Sequence, residues 1–404
     1  MKIGVLFEGS PLMGGGFFQS LKSSMILNTI EKYSNTMEFI LTDTAAIDYL
    51  SDYKFKTQYL KKNFLQKYFS ELFEIDLIRN LFFKLKISHP FTNFINKEKY
   101  DLLIFLGPSN YSKFCHNINF VINIWDLDHK KNSQYPEHKE NFIFEKREKI
   151  INETIFRAFR IIVPHHNNKK DLIDYYKAPT KNILVQTFIP ILPTLFLENK
   201  KSENDYKIIY DTLNLDKEKK IIFYPSQFWA HKNHMYIINA AEILKKNNDN
   251  KYVFVFSGTD KGNYKYIKNL IIEKNLSSII KIFTFLPDQT IISLYLNCSA
   301  VIMPTSGGPT NLPLYESFYF RKVIFYNQDL IIDDDEISKN FIGINIHEPN
   351  DLIKKIEILF EPEKVNSITN SAIEYYNHNC NDQKFINLYT QIFKDYEKIS
   401  SQWK

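Results

Sequence analysis

The sequence predicts an α/β protein built from two Rossmann-like, doubly wound parallel-sheet domains facing a cleft. Three observations carry that expectation. Short apolar runs alternate with stretches of helical periodicity, which is the pattern of a parallel sheet covered by helices on both faces. The alternation runs twice, broken near residues 192–220 by a polar stretch that contains "ENKKSENDYK". The chain has 404 residues, more than one ordinary core supports, so two domains of roughly 150 to 200 residues each are favoured. In such an arrangement the crevice between the domains is the default ligand site.

In the first series, strands are expected at residues 2–7, 39–42, 101–106, 120–124, 160–164 and 182–186, with helices at 18–32, 140–157 and 169–176. In the second, strands are expected at 221–224, 252–257, 280–283, 300–303 and 322–326, with helices at 234–246, 264–275, 288–296 and 312–320. After Pro349 the pattern is helical to the end. These readings give an N-terminal domain over 1–195, a linker over 196–218, a C-terminal domain over 219–380 and a helix within 381–404 packing back on the first domain. Segment 59–87, "YLKKNFLQKYFSELFEIDLIRNLFFKLKI", breaks the rhythm because it is helical, aromatic and basic inside the first domain. It reads either as a pair of amphipathic helices covering the core or as a contact with an anionic membrane.

Composition excludes several classes. Apolar residues make up 44% and aromatic residues 15%, enough for packed cores rather than disorder. A net charge of +5 gives a weak preference for phosphates or an anionic membrane face, and no nucleic-acid partner is expected. Cys115, Cys298 and Cys380 have no pairing or metal-ligand spacing, which suits a reducing cytoplasm and argues against disulfides or zinc. The start, MKIGVLFEGS, reads as a first strand rather than a signal peptide. No window approaches the ~20 apolar residues of a membrane span. The expected location is the cytoplasm, with a peripheral position on the inner membrane as the second reading.

Three motifs carry chemistry. In "FEGSPLMGGGFFQSL", Gly14, Gly15 and Gly16 precede a helix and leave backbone N–H groups open to an anion. The pattern is not G-x-G-x-x-G, so a nicotinamide cofactor is not expected. In "FYPSQFWAHKNHMYIINAAEIL", a strand leads through His231, Lys232 and His234 into a helix, where a lysine can hold a diphosphate beside the helix N-terminus. The H-K-N-H spacing lacks the pair and carboxylate of a metal site. In "VIMPTSGGPTNLPLYESF", a strand reaches Gly307 and Gly308, and a helix starting at Leu312 presents Glu316 one turn in. Glycines there let backbone amides approach phosphate, and the acid suits ribose hydroxyls.

Taken together, these residues resemble the family 4 retaining glycosyltransferases of the glycosyltransferase-B fold, in the branch that assembles bacterial surface polysaccharides. "SQFWAHKNH" is similar to the donor-phosphate loop and "FLPDQTIISLYLNCSAVIMPTSGGPTNLPLYESF" to the helix, strand and donor-loop run. "INIWDLDHKKNSQYPE" and "FRIIVPHHNNKKDLIDYY" resemble acceptor-domain segments. The resemblance implies a donor site made of Gly15, Gly16, Ser226, Gln227, Lys232, Gly307, Gly308, Pro309, Thr310, Asn311, Leu312 and Glu316. Lys232 would bind the diphosphate and Glu316 the ribose, as the second glutamate of an E-x7-E motif. Two positions depart from the pattern: the first glutamate falls at Gly308, and an arginine at Gln227. Trp125 precedes Asp126 where the family often has histidine, with His129 three residues on.

The resemblance implies transfer of a hexosyl group from a UDP- or GDP-linked sugar to a hydroxyl of a glycan acceptor, lipid-linked in the membrane reading, with retention and without a metal or other cofactor. Lys232, Asp126 and His129 would be the catalytic residues, the latter two orienting the acceptor hydroxyl. Two rivals stay open: a catalytically silent domain of the same fold that binds nucleotide sugar or partner proteins, and a hydrolase or epimerase.

Overall fold

The computed structural model describes residues 1–10, 14–50, 53–61, 64–198, 209–308, 311–331 and 334–403. The strands are β1 (Ile3–Phe7), β2 (Met37–Leu41), β3 (Thr57–Tyr59), β4 (Leu102–Phe105), β5 (Asn119–Asn123), β6 (Arg160–Val163), β7 (Ile183–Val185), β8 (Lys220–Pro225), β9 (Tyr252–Ser257), β10 (Ile280–Phe283), β11 (Ala300–Met303), β12 (Val323–Asn327) and β13 (Ile342–Ile344). They form a seven-stranded sheet of order β3-β2-β1-β4-β5-β6-β7 and a six-stranded sheet of order β10-β9-β8-β11-β12-β13. Every pairing is parallel. The central strands IGVLF, LLIF, YVFVFS and AVIM are buried along their whole length, as continuous apolar runs must be when helices cover both faces.

The chain divides into two compact units, one of Met1–Trp125, Glu145–Gln186 and Asp382–Lys404, the other of Asp126–Phe144 and Thr187–Asn381. This differs from a simple cut after residue 195. The segment Asp126–Phe144 leaves the first sheet and belongs with the second unit, because its polar side chains bond into that unit's loops. The expected linker, 196–218, falls partly outside the described residues; the described part holds the end of the helix Leu192–Glu198 and the helix Ile209–Thr212.

In the first unit, the helix Asp382–Ser400 buries Phe385, Tyr389, Ile392 and Phe393. Its polar edge is tied down by Lys22 to Asp382 (2.9 Å), Lys32 to Glu397 (2.7 Å) and Arg160 to Asp395 (3.1 Å). Tyr396 donates from its hydroxyl to the Asp101 carbonyl at 2.6 Å. The three cysteines are buried and are not joined in disulfides.

Segment 59–87 corrects the core-covering expectation. It ends the edge strand β3 and then forms two nine-residue helices, Phe64–Leu72 and Asp76–Lys84, neither of which buries a residue. Phe73, between them, is the anchor, fully buried against Phe82, His89 and Phe114. Phe64 and Leu77 are 83% and 82% exposed, and Leu65, Tyr68, Leu81 and Leu85 are exposed as well. Among the described residues no helix is long and apolar enough to cross a membrane.

Candidate functional site

In an open α/β sheet, ligands bind beyond the carboxyl ends of the strands where the strand order reverses. In the second sheet that point lies between β8 and β11. The loops leaving these two strands are the two that the sequence singles out.

The loop after β8 is braced from below. Ser226 is buried and its N–H donates to the Ser257 carbonyl at 2.9 Å. Gln227 donates from Nε2 to Thr259 Oγ1 at 2.8 Å and accepts from Trp229 Nε1 at 3.1 Å. Both ends of that amide are engaged in holding the loop, so Gln227 supplies architecture where an arginine would supply charge. A short 3-10 turn, Ala230–Lys232, then ends at Asn233 with φ 54°, and the Asn233 side chain accepts the Tyr236 N–H at 3.3 Å to cap the helix His234–Lys246. The Tyr224 hydroxyl donates to the Lys232 carbonyl. His234 sits among Tyr224, Phe228 and Phe256, where burial pushes its pKa down to about 3 and keeps it neutral. Lys232 is thereby fixed by its backbone, and its Nζ donates to Asn311 Oδ1 at 2.9 Å.

The loop after β11 is fixed by Thr305 and Asn311. Asn327 Nδ2 donates to the Thr305 carbonyl (3.0 Å), and the Gly307 N–H donates to Thr305 Oγ1 (3.3 Å). Gly308 has φ +77°, a conformation that glycine adopts without strain and a glutamate would not. Asn311 Nδ2 donates to the Gly308 carbonyl and to Tyr326 Oη, both at 2.9 Å. With its side chain committed to these groups and to Lys232, Asn311 leaves the helix Leu312–Tyr319 without a side-chain cap. Pro309 and Thr310 lie outside the described residues.

Segment Asp126–Phe144 completes the site with residues that the sequence reading left out. Asn132 Nδ2 donates to the Ser306 carbonyl at 3.1 Å and Tyr135 Oη to Ser306 Oγ at 2.7 Å. Glu137 Oε1 accepts the His231 backbone N–H at 2.9 Å and faces His231 Nδ1. His231 passes the connection on, since its carbonyl accepts the Ser306 N–H at 2.8 Å. Asp128 lies against Gly307: a Cβ on that glycine would collide with the Asp128 carboxylate and sit 3.4 Å from His231 Cδ2. The two residues chosen from the sequence in this segment have other positions. Asp126 Oδ1 accepts the Asp128 N–H at 2.9 Å, a turn cap. His129 is fully buried, with Phe144 edge-on to its ring.

The electrostatics are those of a cation held among acids. Burial pushes Lys232 down to about 8, opposed by Asp128, Asp126 and Glu137. Burial alone would raise Glu137, but the hydrogen bonds from His231 hold it down at about 2. Burial also lowers His231, against the pull of Glu137. Glu316 stands apart from this cluster. It is 6% exposed and accepts the Tyr295 hydroxyl on Oε2 at 2.6 Å. Burial pushes it up to about 7. Gly15 and Gly16 belong to the first unit, where they open the helix Gly15–Asn28 behind Gly14, with no side-chain cap. Gly16 is small because the Trp125 indole lies on it, an added Cβ falling 2.7 Å from Cζ3. Among the described residues, no group of three or more His, Cys, Asp or Glu is placed to hold a metal ion.

Residues 205–375 match the family model described as Glycosyl transferases group 1. No curated protein matches the sequence. Among solved structures, HepE of Anabaena in complex with UDP-glucose superposes with a TM-score of 0.70 at 15% identity, covering 99% of this chain and 100% of HepE. A glycosyltransferase from Rickettsia africae superposes at 0.70 with 14% identity, over 98% and 99% of the two chains. UDP-GlcNAc 2-epimerase from Neisseria meningitidis, bound to UDP-GlcNAc, does so at 0.59 with 15% identity, over 98% and 100%. These likenesses establish the glycosyltransferase-B fold.

Proposed function

We propose that this chain is a retaining glycosyltransferase that takes a sugar from a UDP- or GDP-linked donor and places it on a hydroxyl of a glycan in bacterial surface polysaccharide synthesis. The observation that carries the reading is Lys232: a lysine ammonium, partly buried and held by Asn311, at the carboxyl ends of β8 and β11 beside the glycine loop. The group 1 match over residues 205–375 supports the reading. HepE has this fold and binds UDP-glucose.

The difficult event in such a transfer is departure of the diphosphate from C1 of the sugar. Negative charge builds on the leaving oxygen, and a fixed cation with preorganised amides stabilises it. Lys232 and the amide at Gly308 are the groups we assign to that charge, with no protein-bound metal. The C1–O bond to phosphate breaks, the acceptor oxygen bonds C1 on the same face, and the acceptor proton passes to the departing phosphate.

The test is a panel of UDP, GDP and dTDP sugars followed by product analysis. Transfer to a glycan acceptor supports the proposal. Nucleotide binding without turnover for any donor and acceptor would indicate a silent domain, and free or inverted-centre sugar would indicate a hydrolase or epimerase.

Lys232 also sets a pH dependence. Its pKa of about 8 in the free chain means that an anionic diphosphate must bring a proton with it above that pH. The affinity for UDP should therefore weaken about tenfold per unit above about pH 8. A titration calorimetry series from pH 6 to 10 without that inflection would contradict the assignment.

We further propose that the exposed apolar helices bring the protein to an anionic membrane, where a lipid-linked acceptor resides. Lys61, Lys67, Lys84 and Lys86 are exposed in the same segment as Phe64, Leu65, Leu77 and Leu81, a basic and apolar combination suited to an anionic surface. The acids there are partly neutralised, Glu74 by Lys113 and Asp76 by Lys149. Cosedimentation with phosphatidylglycerol vesicles should exceed that with phosphatidylcholine vesicles, and Phe64→Ser with Leu77→Ser should lower it at least tenfold without changing Tm. Equal binding by the double variant would remove the segment from the membrane contact.

A further inference from the structure

Asp128 has no place in the mechanism above, yet it occupies the centre of the loop cluster. Its helical turn, Asp128–Lys131, is pinned to the second unit by Asn132 and Tyr135 on Ser306 and by Glu137 on His231. Asp128 is 9% exposed, and the space a side chain at residue 307 would need is taken by its carboxylate, with Cγ 3.0 Å from the built Cβ. Of the three acids acting on Lys232, it acts most strongly.

A carboxylate beside a phosphate-binding lysine is an unfavourable neighbour for a bare nucleoside diphosphate. Both offer only acceptor oxygens, so they repel each other, and the carboxylate weakens the lysine's net attraction for the anion. The same carboxylate becomes favourable when the ligand places hydroxyl groups next to its phosphate, because each hydroxyl donates a hydrogen bond to a charged acceptor. A glycosyl group attached to the diphosphate is such a ligand. Gly308, at φ +77°, offers no carboxylate of its own on this loop.

Resting on the functional reading above, we propose that Asp128 binds the hydroxyls of the donor's sugar and makes the site prefer a nucleotide sugar to the free nucleotide. Gly307 is then small because a Cβ would displace the acid. His231 is a positioning residue. Bonded to Glu137 through its backbone N–H, it carries Ser306 and so keeps the Gly307 loop in register with Asp128.

The experiment is titration calorimetry of the full chain with UDP, UDP-glucose, GDP and GDP-mannose. Wild type should bind a nucleotide sugar more tightly than its free nucleotide. Asp128→Asn should bind that nucleotide sugar at least tenfold more weakly while binding the free nucleotide unchanged or more tightly, since one negative charge has gone. Gly307→Ala should reproduce the loss for the sugar form, which keeps the assignment testable if Asp128→Asn fails to fold. Parallel weakening of both ligands would mean a structural role and overturn the assignment. So would an unchanged preference for the sugar form. If wild type binds none of the four, the functional reading falls and the assignment falls with it. Binding by wild type with an intact preference in both variants removes the assignment alone.

Discussion

Lys232→Ala should lower kcat by on the order of 10²- to 10³-fold with the donor that the panel identifies, the loss typical when one preorganised donor to a developing oxyanion is removed. The size follows from where the charge stands. Lys232 is partly buried, its backbone carbonyl is fixed by Tyr224, and its ammonium is aimed by Asn311. A cation in that setting needs no reorganisation as the diphosphate departs. Its pKa of about 8 adds a second signature. A group whose folded pKa lies below its unfolded value of 10.5 weakens the fold when protonated, and that cost is relieved as pH rises from about 8 to 10.5. Alanine should therefore abolish the alkaline inflection in UDP affinity, and Lys232→Arg, which cannot lose its proton in this range, should abolish it too while keeping tight binding above pH 8. The comparison rests on the profile and not on activity alone. Kinetics unchanged in Lys232→Ala, or an inflection that survives in Lys232→Arg, would take Lys232 out of the phosphate site.

How much of this was readable in the sequence depends on how local each signal is. Strands such as β9 and β11 are uninterrupted apolar runs whose burial on both faces is written in their own residues. The edge strands β3 and β13 escaped notice, and their pairing with β2 and β12 supplies what their sequence does not. That Lys232 and Asn311 come from two strand-loop-helix passages was legible because in each the strand, loop and helix follow one another within a few residues. Asp128 and Glu137 were not. They lie more than ninety residues earlier, in a segment whose motif resembles an acceptor loop, and only the fold brings them to His231 and Gly307. Asp126 and His129 come from the same stretch, and spacing alone does not say that Asp126 accepts the Asp128 N–H while Asp128 faces the loop at Gly307. Segment 59–87 misled in the opposite direction. Its amphipathic pattern fits a core-covering helix as well as an exposed one, and only the burial of Phe73 with exposed residues on both sides decides between them.

Glu316→Gln should stabilise the ligand-free protein at pH 8 while weakening nucleotide binding, and the opposition of the two effects is the stronger test of its ribose role. The carboxyl is buried, receives the Tyr295 hydroxyl, and titrates at about 7 instead of 4.5. For an acid whose folded pKa is raised, the folded state holds the proton that the unfolded state has lost, so stability is fullest below pH 4.5 and falls as pH rises to about 7. A shift of that size corresponds to about 3 kcal/mol, much of which an amide avoids because it stays neutral and still accepts from Tyr295. The melting temperature of Glu316→Gln relative to wild type should accordingly climb between pH 5 and pH 8. A carboxylate that accepts two ribose hydroxyls, by contrast, is favoured in its charged form. Nucleotide binding near pH 7 should then release a proton in wild type, seen as a dependence of the calorimetric heat on buffer ionisation enthalpy. The substituted amide has no proton to release and forms weaker bonds to the ribose, so the variant should lose that dependence together with about tenfold in UDP affinity. A difference in Tm that is flat with pH would mean that Glu316 is not a strained acid. An unchanged UDP affinity with no proton release in either form would mean that its strain serves Tyr295 and the packing beneath the loop, and not the nucleotide.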